Sequence, residues 1–322
     1  MFSLEALRAA HTVVRQALQP TPALAWPLLA RRLGAAVVVK HENHNPTGAF
    51  KVRGGLTFVD ALRRNEPKAK GLISATRGNH GQSLAFAARR VGLPLSIYVP
   101  RGNSVEKNAA MRALGADLVE HGDDFQAARE EAIRLAATGG LHLVPSFHRD
   151  LVVGVSTYAL ELLTDHPDLD TLYVPVGQGS GICGCIAARD ALGAKTEIVG
   201  VQAAGAPAYA LSFAAGHAVS TESSDTFADG MATRVPDEEA LDVIRRGAAR
   251  IVLVGDAEIG AAIRAYWTDT HNLAEGAGAA PLAAALQERG RLAGKRVGLV
   301  LSGGNIDFDL FQRWVGAAPA AA

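Results

Sequence analysis

Short apolar runs alternate with segments of helical periodicity along most of the chain. Residues 4–19 place apolar side chains at three- and four-residue spacing and stop at Pro20-Thr21-Pro22, which predicts an amphipathic helix. The run Ala35-Ala36-Val37-Val38-Val39 reads as a buried strand. Leu56, Val59 and Leu62 give residues 54–64 a helical stripe. Strands then follow at 71–75, 95–99, 117–120 and 142–144, with helices at 79–91, 105–114 and 125–137 between them. The rhythm resumes with a strand at 172–176, a helix at 184–192 and a strand at 197–202. After a less regular middle come helices at 256–268 and 280–289 and a strand at 296–301. Apolar strands separated by helices predict parallel sheets covered on both faces. No internal repeat stands out, and the Ala-rich end, residues 316–322, reads as a frayed tail.

Composition narrows the class. A chain of 322 residues with 48% hydrophobic content holds one large domain or two modest ones. Basic and acidic residues balance at 32 each, which argues against a nucleic-acid partner. No apolar run approaches the roughly 18 residues that a membrane span needs, and the N-terminus MFSLEALRAA lacks the basic-then-apolar order of a secretion signal. Cys183 and Cys185 provide no disulfide framework, so a reducing compartment, the cytoplasm, is expected. His41-Glu42-Asn43-His44 does not have the histidine spacing of a zinc helix. Glu120-His121-Gly122-Asp123-Asp124 reads as a turn and helix cap.

The candidate chemistry gathers where strands end. After the strand near residue 39, Pro46, Thr47 and Gly48 turn the chain, and Lys51 follows beside Phe50 and ahead of Gly54-Gly55. An amine among apolar and small residues loses solvation, which lowers its pKa and suits it to forming a Schiff base with an aldehyde. Three Gly-rich turns also follow strands: Thr76-Arg77-Gly78-Asn79-His80-Gly81, Gly177-Gln178-Gly179-Ser180-Gly181 and Ser302-Gly303-Gly304-Asn305. The second opens a helix, and its backbone amides can cradle a phosphate. It fits neither the Walker pattern nor the G-x-G-x-x-G dinucleotide fingerprint. Open α/β sheets bind ligands at the carboxyl ends of their strands.

In their order, Pro-Thr-Gly-Ala-Phe-Lys, Gly-Asn-His-Gly-Gln, the Gly-rich loop after Val-Pro-Val and Ser-Gly-Gly-Asn resemble the fold type II pyridoxal-phosphate enzymes, and most closely the threonine and serine dehydratases (ammonia-lyases). Thr226-Phe227-Ala228-Asp229-Gly230 and Ala274-Glu275-Gly276-Ala277-Gly278-Ala279 match as well, so the resemblance spans roughly residues 15–310. It implies a tryptophan synthase β-like pair of open parallel-sheet α/β domains with the cofactor between them. Residues 1–52 and 148–322 would form the large domain, residues 53–147 the small one, and two copies a homodimer. It further implies that Lys51 holds pyridoxal 5'-phosphate as a Schiff base and, once freed, acts as general base. Phe50 would flank the ring and Asn79 would bond its 3-hydroxyl. Gly177, Gln178, Gly179, Ser180 and Gly181 would hold the phosphate, and Ser302 would face the pyridine nitrogen. Thr76, Arg77, Gly78 and His80 would line the amino acid substrate, and Glu275 would lie near the cofactor. A hydroxyl at Ser302 leaves the ring nitrogen neutral, a weaker electron sink that suits elimination over transamination.

The expected reaction is α,β-elimination from a β-hydroxy-α-amino acid, of the threonine or serine type or bulkier as in phenylserine or hydroxyaspartate, giving a 2-oxo acid and ammonia. Other reactions on the same cofactor remain open, namely racemisation, β-replacement and threonine synthesis, as does a noncatalytic α/β binding protein. The chain departs from the family pattern at several positions. Ala49 stands where serine is common, and Arg77 where serine or alanine is usual. Gln178 and Ser180 interrupt the glycines of the phosphate loop. Gln202 replaces the glutamate of the metal-dependent members, and no acid occurs in residues 203–210, so no divalent metal is expected.

Overall fold

The computed structural model describes residues 1–316; of the tail expected at residues 316–322, Gly316 ends the helix Phe308–Gly316 and the rest lies outside the described residues. Ten strands form two sheets: β1 (Ala23–Ala25), β2 (Ala36–His41), β3 (Leu72–Ala75), β4 (Leu95–Val99), β5 (Asp117–Glu120), β6 (His142–Leu143), β7 (Thr171–Pro175), β8 (Glu197–Ala203), β9 (Ala248–Val254) and β10 (Arg296–Leu301). The larger sheet runs β1-β2-β10-β7-β8-β9 and the smaller β5-β4-β3-β6. Every pairing is parallel except that of β1 with β2, where three residues after Pro22 form an antiparallel edge. β2 and β10 bury every residue after their first, as strands covered on both faces should.

Strand order places the chemistry. β10 lies between β2 and β7, with Leu301 in register with His41 and Leu299 with Tyr173. Parallel strands end on the same side, so the Lys51 turn, Ser302 and the Gly177 loop emerge next to one another. The loop after β3, from the smaller sheet, supplies the Thr76 segment.

The helix Arg149–Asp165 is not legible as an amphipathic segment. It reads LVVGVSTYALELL at its centre and is buried on nearly every side, so apolar periodicity is lost. It packs between the helices Lys51–Asn65 and Ser180–Leu192 at very short range. A methyl on Gly154 would lie 2.3 Å from the carbonyl oxygen of Arg53, and one on Gly54 would lie 2.7 Å from that of Leu151. Glycine is required there by close approach rather than by backbone angle. The irregular middle also contains the helices Ala208–Ala215 and Glu238–Gly247 and the edge strand β9. The first helix ends at Arg15, earlier than its apolar periodicity suggests.

The helices Lys51–Asn65 and Arg149–Asp165, with β2 and the turn after it, hold a buried ionic cluster. Arg53, fully buried, donates from Nε and Nη2 to Glu42 at 2.8 and 3.0 Å. It also donates from Nη1 and Nη2 to Glu161 at 2.8 and 2.9 Å, and from Nη1 to Thr157 Oγ1 at 3.0 Å. Lys40, from β2, donates to Glu161 at 2.7 Å and to the Thr21 carbonyl at 2.8 Å. Two cations thus meet two carboxylates. Burial opposes the ionised Glu161, yet Arg53 and Lys40 outweigh it and hold its pKa below the ordinary value. Replacing one partner leaves charge stranded in the interior. Arg53→Ala should therefore lower unfolding free energy by about 3–5 kcal/mol, read by urea denaturation with an unchanged m-value. A loss below about 1 kcal/mol would mean that water repairs the gap.

Candidate functional site

The Lys51 turn is strapped to the exit of β10. Phe50 N donates to the Ser302 carbonyl at 3.0 Å, Gly304 N to that of Gly48 at 2.9 Å, and Ala49 pairs with Gly303 in an antiparallel bridge. Lys51 then opens its helix with Nζ donating to Ser180 Oγ at 3.0 Å and lying 5.2 Å from the Phe50 ring centroid. The Phe50 ring meets Tyr158 edge-on at 5.9 Å. Burial pulls the Lys51 pKa down to about 8, and the nearby Glu275 only partly opposes this.

The loop after β7 forms the opposite wall. Gly179, at φ +93°, caps the helix Ser180–Leu192, whose first-turn amides have no intrahelical acceptor. A methyl on Gly177 would lie 2.2 Å from the Gly230 carbonyl oxygen, so that position has no room for a side chain. The Gln178 carbonyl accepts from Tyr209 Oη at 3.2 Å, which fixes the loop from behind. Gly181 lies against Phe50 and Tyr158, and Ser180 and Ser302 are both buried. An amine of lowered basicity beside a glycine-walled helix N-terminus is a donor set that fits an aldehyde bearing a phosphate.

From the smaller sheet, Thr76 Oγ1 accepts from Gly78 N at 3.0 Å. Asn79 begins the helix Asn79–Arg90 and donates from Nδ2 to Glu275 Oε1 at 2.7 Å. Its Oδ1 accepts from Asn305 Nδ2 at 2.8 Å, which also reaches the Thr47 carbonyl. His80 is buried with Nε2 unpartnered, and burial, with Lys51 acting in the same direction, lowers its pKa to about 3. It is a neutral imidazole at any physiological pH. Arg77 is exposed and forms no ion pair among the described residues. The residues expected from the sequence therefore converge, with Arg77 at the rim.

One further member, Lys107, is not legible in the sequence, and it meets Glu275, which the resemblance places near the cofactor. Glu275 is buried, with Oε2 3.5 Å from Lys107 Nζ, and Lys107 also donates to Asp229 Oδ2 at 2.5 Å. Burial pushes the Glu275 carboxyl up, to about 7, with Lys107 opposing and Asp229 reinforcing the shift. A lone lysine on a helix carries no sequence signal, so Lys107 escapes notice until the fold brings it here. Gln202 is buried and turns its Oε1 to Ala210 N at 2.9 Å. Among the described residues, no group of three or more His, Cys, Asp or Glu side chains is placed to hold a metal ion. Cys183 and Cys185 are buried in the first turns of their helix, and Cys185 Sγ lies 3.1 Å from Tyr158 Oη. His41 accepts from Trp26 Nε1 at 2.9 Å.

A pKa near 8 leaves about one in ten Lys51 amines neutral at pH 7, against roughly one in a few thousand for an ordinary lysine. On the ligand-free chain, acylation of Lys51, followed by mass spectrometry, should have its midpoint near pH 8 and reach a plateau by about pH 9. A profile still climbing at pH 10, like that of a reference lysine peptide, would show that the amine is not depressed.

Comparison with known proteins agrees with this geometry. L-threonine ammonia-lyase of Geobacter sulfurreducens is 39% identical over 280 residues, covering 86% of this chain and 69% of its own. L-threo-3-hydroxyaspartate ammonia-lyase of Saccharomyces cerevisiae is 32% identical over 299 residues, covering 92% of this chain and 91% of its own. The structure of maize serine racemase superposes with a TM-score of 0.91 at 27% identity, covering 97% of this chain and 96% of its own. The family described as pyridoxal-phosphate dependent enzyme matches residues 14–303, nearly the whole chain, and the protein belongs to that family.

Proposed function

We propose that the chain is an ammonia-lyase that removes water from a β-hydroxy-α-amino acid and yields a 2-oxo acid and ammonia. The observation that carries this reading is the Lys51 amine, held 3.0 Å from Ser180 Oγ and depressed by burial to a pKa of about 8, in a turn whose Phe50 N is bonded to the carbonyl of the buried Ser302. The bound cofactor supplies the electron sink that makes the α-hydrogen acidic. Lys51 Nζ, in its neutral form, takes that hydrogen as a proton, and Ser180 Oγ steadies the amine. The amides of the helix starting at Ser180 bind the phosphate. The Thr76–His80 segment orients the substrate carboxylate with hydroxyl and backbone donors, and neutral His80 adds no competing charge. The β-hydroxyl leaves as water, with one proton returned for the one that Lys51 took, and the released enamine becomes an imine that a water molecule hydrolyses to the 2-oxo acid and ammonia.

Arg77 supports elimination over racemisation. A racemase needs a second acid/base opposite the lysine, and a guanidinium stays protonated and transfers protons poorly. The relation to maize serine racemase is then one of fold. Residues 1–52 and 148–322 as the large domain and 53–147 as the small one are supported by the run of β3–β6 in a separate sheet. A homodimer in the cytoplasm completes the reading. No helix among the described residues is long and apolar enough to cross a membrane.

The direct test is a panel of L-threonine, L-serine, phenylserine and threo-3-hydroxyaspartate, with 2-oxo acid and ammonia measured together. Equal amounts of both products are expected, with D-serine formation from L-serine negligible; racemisation at a comparable rate would overturn the reading. Lys51→Ala should lower turnover by a factor on the order of 10³ and abolish the borohydride-reducible cofactor bond. A retained bond would identify another lysine.

Arg77 has no acid to pair with at the rim, so its guanidinium is free to meet a large or acidic β-substituent. Arg77→Ala should cost about 1–3 kcal/mol in kcat/KM for phenylserine or hydroxyaspartate and much less for threonine. Equal losses on both would show that Arg77 does not read the side chain.

A further inference from the structure

The N-terminal turn of the helix Val105–Ala113, beside the smaller sheet, reaches across to the larger sheet's side at three points. Ser104 Oγ donates to Asp307 Oδ1 at 2.5 Å, and Glu106 Oε1 accepts from Phe308 N at 2.8 Å. Lys107 Nζ donates to Asp229 at 2.5 Å and lies 3.5 Å from Glu275 Oε2. Lys107 is only 5% exposed, and its stem fills the space beside Gly78, where a methyl would lie 2.4 Å from Lys107 Cδ. A buried ammonium with such contacts is part of the wall of the cleft rather than a solvated surface charge.

What Lys107 controls follows from the hydrogen bonds beyond it. Glu275 Oε1 accepts from Asn79 Nδ2 at 2.7 Å, and Asn79 Oδ1 accepts from Asn305 at 2.8 Å. These two bonds decide which way the Asn79 amide is turned. The first requires Glu275 to act as an acceptor, which a carboxylate does at both oxygens and a carboxylic acid does at fewer sites. Glu275 Oε2 is buried with no hydrogen-bond partner, so the ammonium of Lys107 at 3.5 Å compensates it, with Lys51 adding a longer-range attraction.

We propose that Lys107 is a positioning residue: clasping Asp229 and Glu275 from the smaller sheet's side, it keeps Glu275 as the acceptor that fixes the Asn79 amide against the reactive cleft. Contact between the two sheets thereby sets the polarity of the site. Lys107 itself is held charged, because Asp229 and Glu275 outweigh the burial that would lower its pKa. The charged groups facing Glu275 are Lys107, Asp229 from the turn Asp229–Met231, and Lys51 from its own helix; Asn79 and Gly303 complete its surroundings with neutral contacts. This inference rests on the proposed reaction only in taking Asn79 as a wall of the reactive cleft.

Its test is the titration of Glu275 in the cofactor-free full chain, read as the protonated-carboxyl infrared band lost in Glu275→Gln. Lys107→Met should move the midpoint up by about 1–3 units, since an opposite charge at this range has been removed. Lys107→Arg should restore it toward the native value. Asp229→Asn should move it the other way, because a like charge is removed and Lys107 is released to Glu275. An unchanged midpoint in Lys107→Met, or equal shifts of one sign in Lys107→Met and Asp229→Asn, would overturn the proposal. If Lys107→Met unfolds, as judged by circular dichroism, the sign of the Asp229→Asn shift decides alone. In the loaded enzyme, Lys107→Met should weaken cofactor retention on the order of tenfold, with Lys107→Arg recovering it. A chain that fails to bind the cofactor at all would count against the proposed reaction, while the carboxyl titration would still decide the role of Lys107.

Discussion

The buried guanidinium of Arg53 is the constraint from which the site takes its geometry. It lies two residues after Lys51 and is pinned by Glu42 and Glu161. Glu42 follows β2, Arg53 belongs to the helix that Lys51 opens, and Glu161 belongs to the helix packed beneath it. Six donor–acceptor contacts within 3.3 Å leave the guanidinium no alternative placement. The amine of Lys51 is positioned by this rigid base, which is what the role proposed for it, exchanging covalent partners, requires. Four glutamate oxygens and two threonine hydroxyls match the fork of an arginine, and a lysine at 53 could not reach both carboxylates at once.

Parallel strand order then performs the assembly. Because β10 sits between β2 and β7, three loops far apart in sequence leave adjacent strand ends on one side of the sheet. The β3 loop supplies the remaining wall from the second sheet. Close packing of the helices at Gly54 and Gly154 leaves the base beneath Lys51 little room to yield, so the placement of the amine is inherited from the backbone.

The chain announces those parts of the architecture that local rules govern. Residues 95–99, 117–120 and 296–301 are strands in the sequence and in the fold because their apolar runs are bounded by turn residues. Lys51 and the three Gly-rich turns are legible through their order along the chain, which carries the family resemblance, since singly a tight turn favours glycine whatever its function. The helix Arg149–Asp165 is not, because complete burial erases the polar face on which helical periodicity depends. Lys107 and Arg53 are illegible for a different reason: each is an ordinary charged residue, with a carboxylate partner 122 positions away for Lys107 and 11 for Arg53. Their meaning is created by the fold, and no local pattern records it.

The two ionic clusters differ in one respect that separates support from chemistry. Around Arg53, two cations meet two carboxylates, and no change in the cleft alters that balance. Around Glu275, one fixed cation, Lys107, meets Asp229 and Glu275, and Lys51 supplies the second positive charge only while protonated. When Lys51 gives up its proton, the cluster carries excess negative charge in a buried place. Burial already drives Glu275 toward its neutral form and Lys51 toward its own, so the two groups titrate in neighbouring ranges, about 7 and about 8. In the base beneath Lys51 each carboxylate is paired with buried cations, whereas the unequal charges beside Glu275 make the cleft respond to the charge on Lys51. A site that must pass a proton to and from one amine needs that second property, and it is carried by residues outside the Lys51 turn itself.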